Sequence, residues 1–335
     1  MRVLILGGTH FLGRHFVEQA LNLGYEITLF NRGKSNREIY PDVEKLIGDR
    51  KKGDLESLKG REWDCVIDTI GYMKNLVQVV EESTHLLKDQ VKHYTFISSI
   101  ETYSEVKPNF DETTPTRVNQ KKTLATRYGV NKALAEKINN RVFGTKALNV
   151  RAGLIVGKYD KTNRFSYWVK RVEKGGEILA PVGYEYPIQL IDASDIARWV
   201  FKMINQGKGG DFNVTGPDYK LTIGQILNTC KEVSKSKGEF TWVSNEFLLK
   251  NKIGQWRELP FWTTSDQLLL MTNSCNIGKA IAEGLAFRQL KDTIIDILEW
   301  EKIAPKKYNY GFAGGLNPKK EQKLLEKWKE FKDNQ

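Results

Sequence analysis

The sequence has little cysteine and no long apolar run. Its three cysteines, Cys65, Cys230 and Cys275, are far apart and odd in number, which favours a reducing compartment and excludes a disulfide scaffold. Neither CxxC nor HExxH spacing occurs, so we expect no metal site. No stretch reaches the roughly 18 apolar residues that span a bilayer. The first apolar run, Val3–Leu6, stops at Gly7, too early for a secretory leader. We therefore predict a cytoplasmic protein.

Basic residues outnumber acidic residues by 52 to 41, which gives a formal net charge of +11. A basic surface serves nucleic-acid binding, the binding of phosphorylated ligands, or plain solubility. The hydrophobic content of 40% and the charged content of 28% are typical of a soluble globular protein. A length of 335 residues allows two domains, or one large α/β unit with a smaller cap.

Strand and helix signals alternate through the N-terminal half. Short apolar runs predict strands and helical spacing predicts helices between them. The predicted strands are 3–6, 27–30, 41–48, 64–70 and 94–98, and the predicted helices are 11–23, 75–88 and 128–142. This rhythm is typical of right-handed βαβ units, so we predict an α/β fold with a Rossmann-type, doubly wound parallel sheet.

The pattern loosens after about residue 156, where glycine and proline become frequent. We expect the Rossmann domain to cover residues 1–156, with part of 186–215 returning to it. Residues 157–335 are predicted to form mainly a smaller, irregular C-terminal substrate lobe and a C-terminal helix. Asn317 is the expected cap of that helix and Pro318 its first residue.

A glycine-containing loop joins the first strand to the first helix. Gly7 suits a tight turn, Gly13 allows the helix to pack closely on the sheet, and the helix N-terminus attracts a pyrophosphate. His10 stands where a middle glycine would complete G-x-x-G-x-x-G. We predict dinucleotide binding by residues of this loop, namely Gly7, Thr9, His10, Phe11, Leu12 and Gly13.

The end of the second strand indicates which dinucleotide is bound. NAD sites usually place an acid there, about 20 residues after the loop, on the ribose 2′-OH. Here Arg32 and Lys34 follow Asn31 instead, and both suit a 2′-phosphate. NADP(H) is therefore the preferred cofactor and NAD(H) the alternative, in which the two cations are ordinary loop charges and Asn31 hydrogen-bonds the ribose. After the third strand, Asp49 is expected near the adenine amine.

Tyr128 and Lys132 form a Tyr-x-x-x-Lys at the start of a long helical pattern. On a helix these two side chains share a face, and an ammonium beside the phenol lowers the pKa of the tyrosine, which suits acid–base work. Tyr103 and Lys107 have the same spacing, but that stretch runs into a proline and need not be helical. Ser99 ends the fifth strand, at the edge where such sheets bind ligands.

Several segments together resemble the extended short-chain dehydrogenase/reductase family, of the NAD-dependent epimerase/dehydratase type. The resemblance covers roughly residues 1–230. It rests on GGTHFLG at 7–13, GDR at 48–50, DTIGY at 68–72, FISSIETY at 96–103, YGVNK at 128–132 and VRAGLIVG at 150–157.

The resemblance implies a set of site residues. The family's catalytic serine falls on Ser99 rather than Ser98, and its tyrosine and lysine fall on Tyr128 and Lys132, of which the lysine also holds the nicotinamide ribose. Further cofactor contacts are implied for the strand ends and the loops after them, at Asn31, Arg32, Lys34, Asp49, Arg50, Thr69 and Gly71. The second lobe of the family holds the substrate.

Two departures modify this picture. With His10 in place of the middle glycine, the loop resembles that of an atypical branch of the family. This branch includes reductase-like proteins and plant chloroplast RNA-binding homologues. Glu101 takes the position of a catalytic glutamate in the sugar-nucleotide dehydratases, but Ile100 replaces their acidic neighbour. We therefore expect Glu101 to be structural and dehydratase chemistry to be incomplete.

The sequence thus predicts an NAD(P)-dependent reductase or epimerase that transfers a hydride at a carbonyl or carbinol carbon. The expected partner is a small-molecule substrate, a nucleotide sugar among the candidates, bound by a monomer or homodimer without membrane or nucleic acid. The alternative is a catalytically weak Rossmann-fold protein that binds RNA. Residues expected to line the substrate pocket are Arg151, Arg164, Tyr167, Trp168, Tyr184, Tyr186 and Gln189.

Overall fold

A computed structural model describes most of the chain, namely residues 1–71, 74–181, 183–305 and 314–333. Tyr72 of the DTIGY segment lies outside the described residues. The chain divides into two compact units. The first consists of Met1–Ile155, Ala193–Gly216 and Ser274–Ala286, and the second of Val156–Asp192, Pro217–Asn273 and Phe287–Gln335.

Strands and helices alternate along the first half of the chain. The strands are β1 (Arg2–Leu6), β2 (Glu26–Asn31), β3 (Glu44–Ile47), β4 (Trp63–Asp68), β5 (Val91–Ser99), β6 (Ala147–Ala152), β7 (Ile155–Val156), β8 (Glu177–Pro181), β9 (Ile191–Asp192), β10 (Gly210–Val214) and β11 (Glu239–Val243). The helices are α1 (Phe11–Asn22), α2 (Leu76–Leu87), α3 (Arg127–Phe143), α4 (Arg164–Lys174), α5 (Ala193–Asn205), α6 (Ile223–Ser234), α7 (Asn245–Lys250), α8 (Asp266–Asn273), α9 (Gly278–Ala282), α10 (Leu290–Ile303) and α11 (Pro318–Asp333).

The first unit is built on a seven-stranded sheet with the order β10-β6-β5-β4-β1-β2-β3. Every pair of neighbours is parallel, and Val3 of β1 pairs with Ile27 on one side and Cys65 on the other. The interiors of β1, β2 and β4 are mostly apolar and buried, as parallel strands covered on both faces require. Helix α1 packs on α5, and α2 packs on α3. The predicted α/β fold with a doubly wound parallel sheet is confirmed.

The parallel arrangement decides where functional groups gather. Because all seven strands run the same way, their carboxyl ends lie at one edge of the sheet. The segments that follow Leu6, Asn31, Ile47, Asp68 and Ser99 therefore share that edge.

The second unit has shorter elements. Strands β8 and β11 pair in parallel, and α4, α6 and α10 pack on one another. Helix α11 begins at Pro318, and the Asn317 side chain accepts a hydrogen bond from the Lys319 N–H at 2.9 Å, which confirms the predicted cap. No helix in the described part of the chain has the length and apolar character needed to cross a membrane.

Candidate active site

The loop between β1 and α1 adopts a backbone that only glycine accepts readily. Gly7 and Gly8 have φ values of +122° and +88°. A Cβ on Gly7 would lie 2.4 Å from Thr69 Oγ1, and a Cβ on Gly13 would lie 2.8 Å from the Gly8 nitrogen. The glycines thus allow the loop, the start of α1 and the end of β4 to approach one another closely. This is the cradle that a pyrophosphate needs at a helix N-terminus.

His10 occupies the N-cap of α1, with extended φ and ψ of −133° and 152°. Any residue adopts this conformation, so the backbone does not require the middle glycine of the usual motif here. The first turn of α1 contains no acidic residue, which keeps the helix N-terminus attractive to an anion. The loop residues therefore fit a dinucleotide, and their contacts with it stay predictions.

The end of β2 is tied to this loop by two asparagines. Asn31 donates from Nδ2 to the Gly7 carbonyl at 3.4 Å and accepts from the Gly33 N–H at 2.8 Å. Asn36 donates to the Thr9 carbonyl at 2.7 Å. Arg32 lies beside this anchored backbone and is exposed, as is Lys34.

Asp49 and Arg50 follow β3, but both side chains already have partners. Asp49 caps a short helical turn by accepting from the Lys51 N–H at 3.1 Å. Arg50 makes a two-pronged ion pair with Asp68 at 2.8 Å for each prong, and its Nε donates to Ser83 at 3.0 Å. The cofactor contacts of Asp49 and Arg50 stay predictions, and Arg50 has in Asp68 a structural partner that local sequence patterns do not indicate.

Lys132 lies on α3, one turn after Tyr128, and only 2% of its surface is exposed. Its ammonium donates to the Ile70 carbonyl at 2.7 Å and to the Ile97 carbonyl at 2.6 Å. The same nitrogen lies 5.9 Å from the centre of the Tyr128 ring. Burial lowers the pKa of Lys132 to about 8, against the opposing effect of nearby carboxylates. The structure therefore brings Tyr128 and Lys132 together.

The turn that follows Ser99 packs against the start of α3, where Tyr128 lies. Ser99 closes β5, and its Oγ accepts from the Glu101 N–H at 3.2 Å. A Cβ on Gly129 would lie 2.0 Å from the Glu101 carbonyl oxygen, so only glycine fits after Tyr128. The turn after Ser99 is thus pressed against the first turn of α3.

The neighbours of Ser99 differ in exposure. Ile100 is buried and Glu101 is exposed, with its carbonyl accepting from Arg117 Nε at 3.0 Å. Tyr103 is fully buried, donates to Asn213 at 2.6 Å and accepts from Arg151 at 3.0 Å. Burial raises the pKa of Tyr103 well above its usual value.

Two buried acids next to the site were missed by the sequence analysis. Asp68 ends β4, and Glu136 lies one turn after Lys132, where it accepts from Ser98 at 2.5 Å and pairs with Arg151 at 2.9 Å. Burial raises the pKa of Glu136, although Arg151 opposes that shift. An acid inside an apolar strand, as in residues 63–68, is the signal that would have identified Asp68.

The predicted pocket residues have varied surroundings. Arg151 is buried in an ion-pair network with Glu136 and Asp211, and Trp168 is fully buried and donates to the Pro260 carbonyl at 3.1 Å. Both are interior residues, which corrects the expectation that they line a pocket. The remaining five, which belong to the second unit, are Arg164, Tyr167, Tyr184, Tyr186 and Gln189.

Part of the chain is similar to a known protein family and to a curated plant protein. Residues 60–215 match the model of the NAD dependent epimerase/dehydratase family. The chain is 24% identical over 248 residues to the chloroplast stem-loop binding protein of 41 kDa b of Arabidopsis thaliana, an alignment that covers 68% of this chain. It spans 62% of that relative, less than two thirds of its length.

Solved structures share the fold at low sequence identity. One is the enzyme WbmG of Bordetella bronchiseptica in complex with NAD and UDP, with a TM-score of 0.69 and 17% identity over 94% of this chain and 98% of that one. Another is UDP-glucose 4-epimerase of Thermotoga maritima with UDP-glucose, with a TM-score of 0.69 and 16% identity over 90% and 99%. The matched segment confirms the resemblance of residues 60–215 to the NAD dependent epimerase/dehydratase family, and the solved structures show that the chain shares their fold.

Proposed function

We propose that this protein is an NAD(P)-dependent oxidoreductase or epimerase that transfers a hydride at a carbonyl or carbinol carbon. The observation that carries the proposal is the placement of Lys132. Its buried ammonium is held by the carbonyls of Ile70 and Ile97, one helical turn from Tyr128. A lysine beside a tyrosine at the ligand-binding edge of a doubly wound sheet suits acid–base chemistry on an oxygen.

The side chains divide the work between them. Tyr128 gives its proton to the substrate oxygen on reduction and takes it back on oxidation. Ser99 orients that oxygen, and Lys132 favours the phenolate form of Tyr128 and holds the ribose next to the nicotinamide. The loop from Gly7 to Gly13 holds the pyrophosphate. A bound nicotinamide cofactor supplies the hydride donor or acceptor.

A nucleotide sugar is the substrate class we favour. The two structural neighbours were solved with UDP or UDP-glucose, and epimerisation uses the same groups in both directions, with the intermediate ketone turning between two hydride transfers. We expect a monomer or homodimer in the cytoplasm. The buried thiols of Cys65, Cys230 and Cys275 support a reducing compartment.

The direct test is to offer the purified protein NAD, NADP and a panel of UDP- and dTDP-sugars. We expect nicotinamide nucleotide to co-purify or bind on titration, and at least one sugar nucleotide to change the absorbance at 340 nm or to be epimerised. A protein that binds no nicotinamide nucleotide in any redox state would refute the proposal.

NADP(H) is the cofactor that we propose is preferred. Arg32 and Lys34 are exposed beside the anchored end of β2, and the sequence from Phe30 to Lys34 contains no acid for the ribose 2′-OH. We predict that Arg32→Ala with Lys34→Ala weakens NADPH binding by about 10- to 150-fold, the value of a charge-assisted contact, and leaves NADH nearly unchanged. Equal losses for both nucleotides, or equal wild-type affinities, would reassign the enzyme to NAD with Asn31 on the ribose.

RNA binding is the second candidate, favoured by the name of the Arabidopsis relative and by the net charge of +11. Gel-shift titration with a structured RNA at two salt concentrations separates the two functions. Tight binding that weakens steeply with salt, in a protein without affinity for nicotinamide nucleotides, would favour RNA binding.

A further inference from the structure

Asp68 has an environment that a purely structural acid does not need. It is fully buried at the end of β4, and its carboxylate accepts four hydrogen bonds. Arg50 supplies two of these at 2.8 Å each, the Ile70 N–H one at 3.0 Å, and the Tyr94 hydroxyl one at 2.9 Å. A buried ion pair of this kind adds little net stability compared with apolar packing, so stability alone does not account for it.

The hydrogen bonds of Asp68 lead to Lys132 through one residue. Asp68 fixes the N–H of Ile70, and the carbonyl of the same Ile70 accepts from the Lys132 ammonium at 2.7 Å. Thr69, between them, donates from Oγ1 to the Leu6 carbonyl at 2.9 Å. The turn after β4 is therefore fastened on both sides, and its carbonyl is aimed at the ammonium.

Within the described residues, charged side chains act on Lys132 from several elements. Asp68 and Arg50 face it from β4 and the turn after β3, Glu136 from its own helix, and the Tyr128 ring from the preceding turn. Glu136 also forms an ion pair with Arg151, which offsets part of its charge. Burial lowers the pKa of Lys132, Asp68 and Glu136 raise it, and Arg50 lowers it.

We propose that Asp68 is a positioning residue whose carboxylate, balanced by Arg50, keeps the buried Lys132 charged and directed at Tyr128. The consequence for turnover rests on the proposed function, whereas the effect on Lys132 itself concerns the protein without any ligand. Asp68 touches neither Tyr128 nor Ser99 in the hydrogen bonds described above, so it acts through Ile70 and through its charge.

The two members of the ion pair should shift the titration of Lys132 in opposite directions. Asp68→Asn removes the negative charge that acts most strongly on Lys132 and leaves Arg50, so we expect the pKa of Lys132 to fall by about 1 unit or more. Arg50→Gln leaves the carboxylate uncompensated, so the pKa should rise. The double variant should return it close to the wild-type value. Mere loosening of the structure would shift both single variants the same way.

The measurement is NMR titration of isotopically labelled lysine side chains in the full chain, with the Lys132 signal identified by its loss in Lys132→Arg. Asp64→Asn is the matched control, because Asp64 lies on the same strand but is partly exposed and pairs with Lys92. It should leave Lys132 unchanged.

Shifts of one sign in both single variants, or no shift in either, would overturn the proposal. If Asp68→Asn does not fold, the rise expected in Arg50→Gln and its reversal in the double variant decide the matter. Opposite shifts in a protein that binds no nicotinamide nucleotide would sustain the role of Asp68 and refute the proposed function instead.

Discussion

Two segments of this chain place a tyrosine four residues before a lysine, and their surroundings are opposite. Tyr128 is half-buried and Lys132 is buried, both on α3. Tyr103 is fully buried and Lys107 is exposed, on a stretch that is not helical. The same spacing thus yields a tyrosine–lysine pair in one place and a core tyrosine with a surface lysine in the other.

The difference shows what the spacing needs before it carries chemistry. A helix must bring the two side chains to one face, and acceptors must hold the ammonium, as Ile70 and Ile97 do for Lys132. Tyr103 differs from Tyr128 in both respects. Burial raises the pKa of Tyr103, and its hydroxyl is hydrogen-bonded to Asn213 and Arg151 instead of lying beside a lysine. A phenol held in this way stays neutral.

The largest expected effect is the difference in turnover rate between substitutions of the two tyrosines. Tyr128→Phe should lower hydride transfer by about 10²- to 10⁴-fold, because a phenyl ring fills the same space but carries no proton. Cofactor affinity should hardly change. The assay is turnover with the sugar nucleotide identified in the panel, together with nucleotide titration.

Tyr103→Phe is the matched control for that experiment and should retain a substantial rate. General acid catalysis is worth about 10²- to 10⁴-fold in rate. If Tyr128→Phe keeps more than about a tenth of the wild-type rate, Tyr128 is therefore not the general acid.

The lysines should differ in the same way but by less. Lys132→Ala should slow turnover by about 10²-fold and also weaken nucleotide binding, because one ammonium serves both the phenol and the ribose. Lys107→Ala should change neither, since Lys107 is exposed. Unaltered nucleotide affinity in Lys132→Ala would contradict the double role.

The parts of the fold that local patterns encode were predictable from the sequence. Apolar runs and helical spacing located β1, β2, β4, β5 and α1 to within a few residues, because each element is decided by neighbours in the chain. The start of α3, with Tyr128 and Lys132 on it, was predictable for the same reason. The role of the glycines in the first loop was also predictable, because the tight turn between β1 and α1 requires them.

Contacts between distant residues could not be predicted in this way. The local motif GDR predicts a cofactor contact for Arg50. Its ion pair with Asp68, in contrast, depends on the parallel packing of separate strands, which no local pattern encodes. Arg151 looked available for substrate, but Glu136 and Asp211 neutralise it inside the sheet. The return of Ser274–Ala286 to the first unit carries no periodic signal, although the Asn276 N–H donates to the Phe110 carbonyl at 2.8 Å.

The effects of the two tyrosine substitutions on stability should have the opposite order, with Tyr103→Phe the more destabilising. Tyr103→Phe removes a buried hydroxyl and leaves Asn213 and Arg151 without that partner, which costs about 1–3 kcal/mol in the free energy of unfolding. Tyr128→Phe should cost less, because Tyr128 is only half-buried. Urea denaturation of both variants gives the comparison, and equal losses would show that the burial of Tyr103 is not what distinguishes it.

The smallest expected effect is the dependence of nucleotide binding on pH, which tests the ammonium of Lys132 directly. Because burial lowers the pKa of Lys132 to about 8, the group is charged below that pH and neutral above it. Any affinity that depends on its charge is therefore present at pH 7 and lost as the pH rises through about 8. We expect a loss of up to about tenfold between pH 7 and pH 9, roughly the difference between a charge-assisted and a neutral hydrogen bond.

Lys132→Arg is the control, because a guanidinium stays charged throughout and should give a flat profile, whatever its absolute affinity. A wild-type profile as flat as that of Lys132→Arg would show that the charge of Lys132 takes no part in holding the nucleotide, and the contrast with Lys107 would then rest on burial alone.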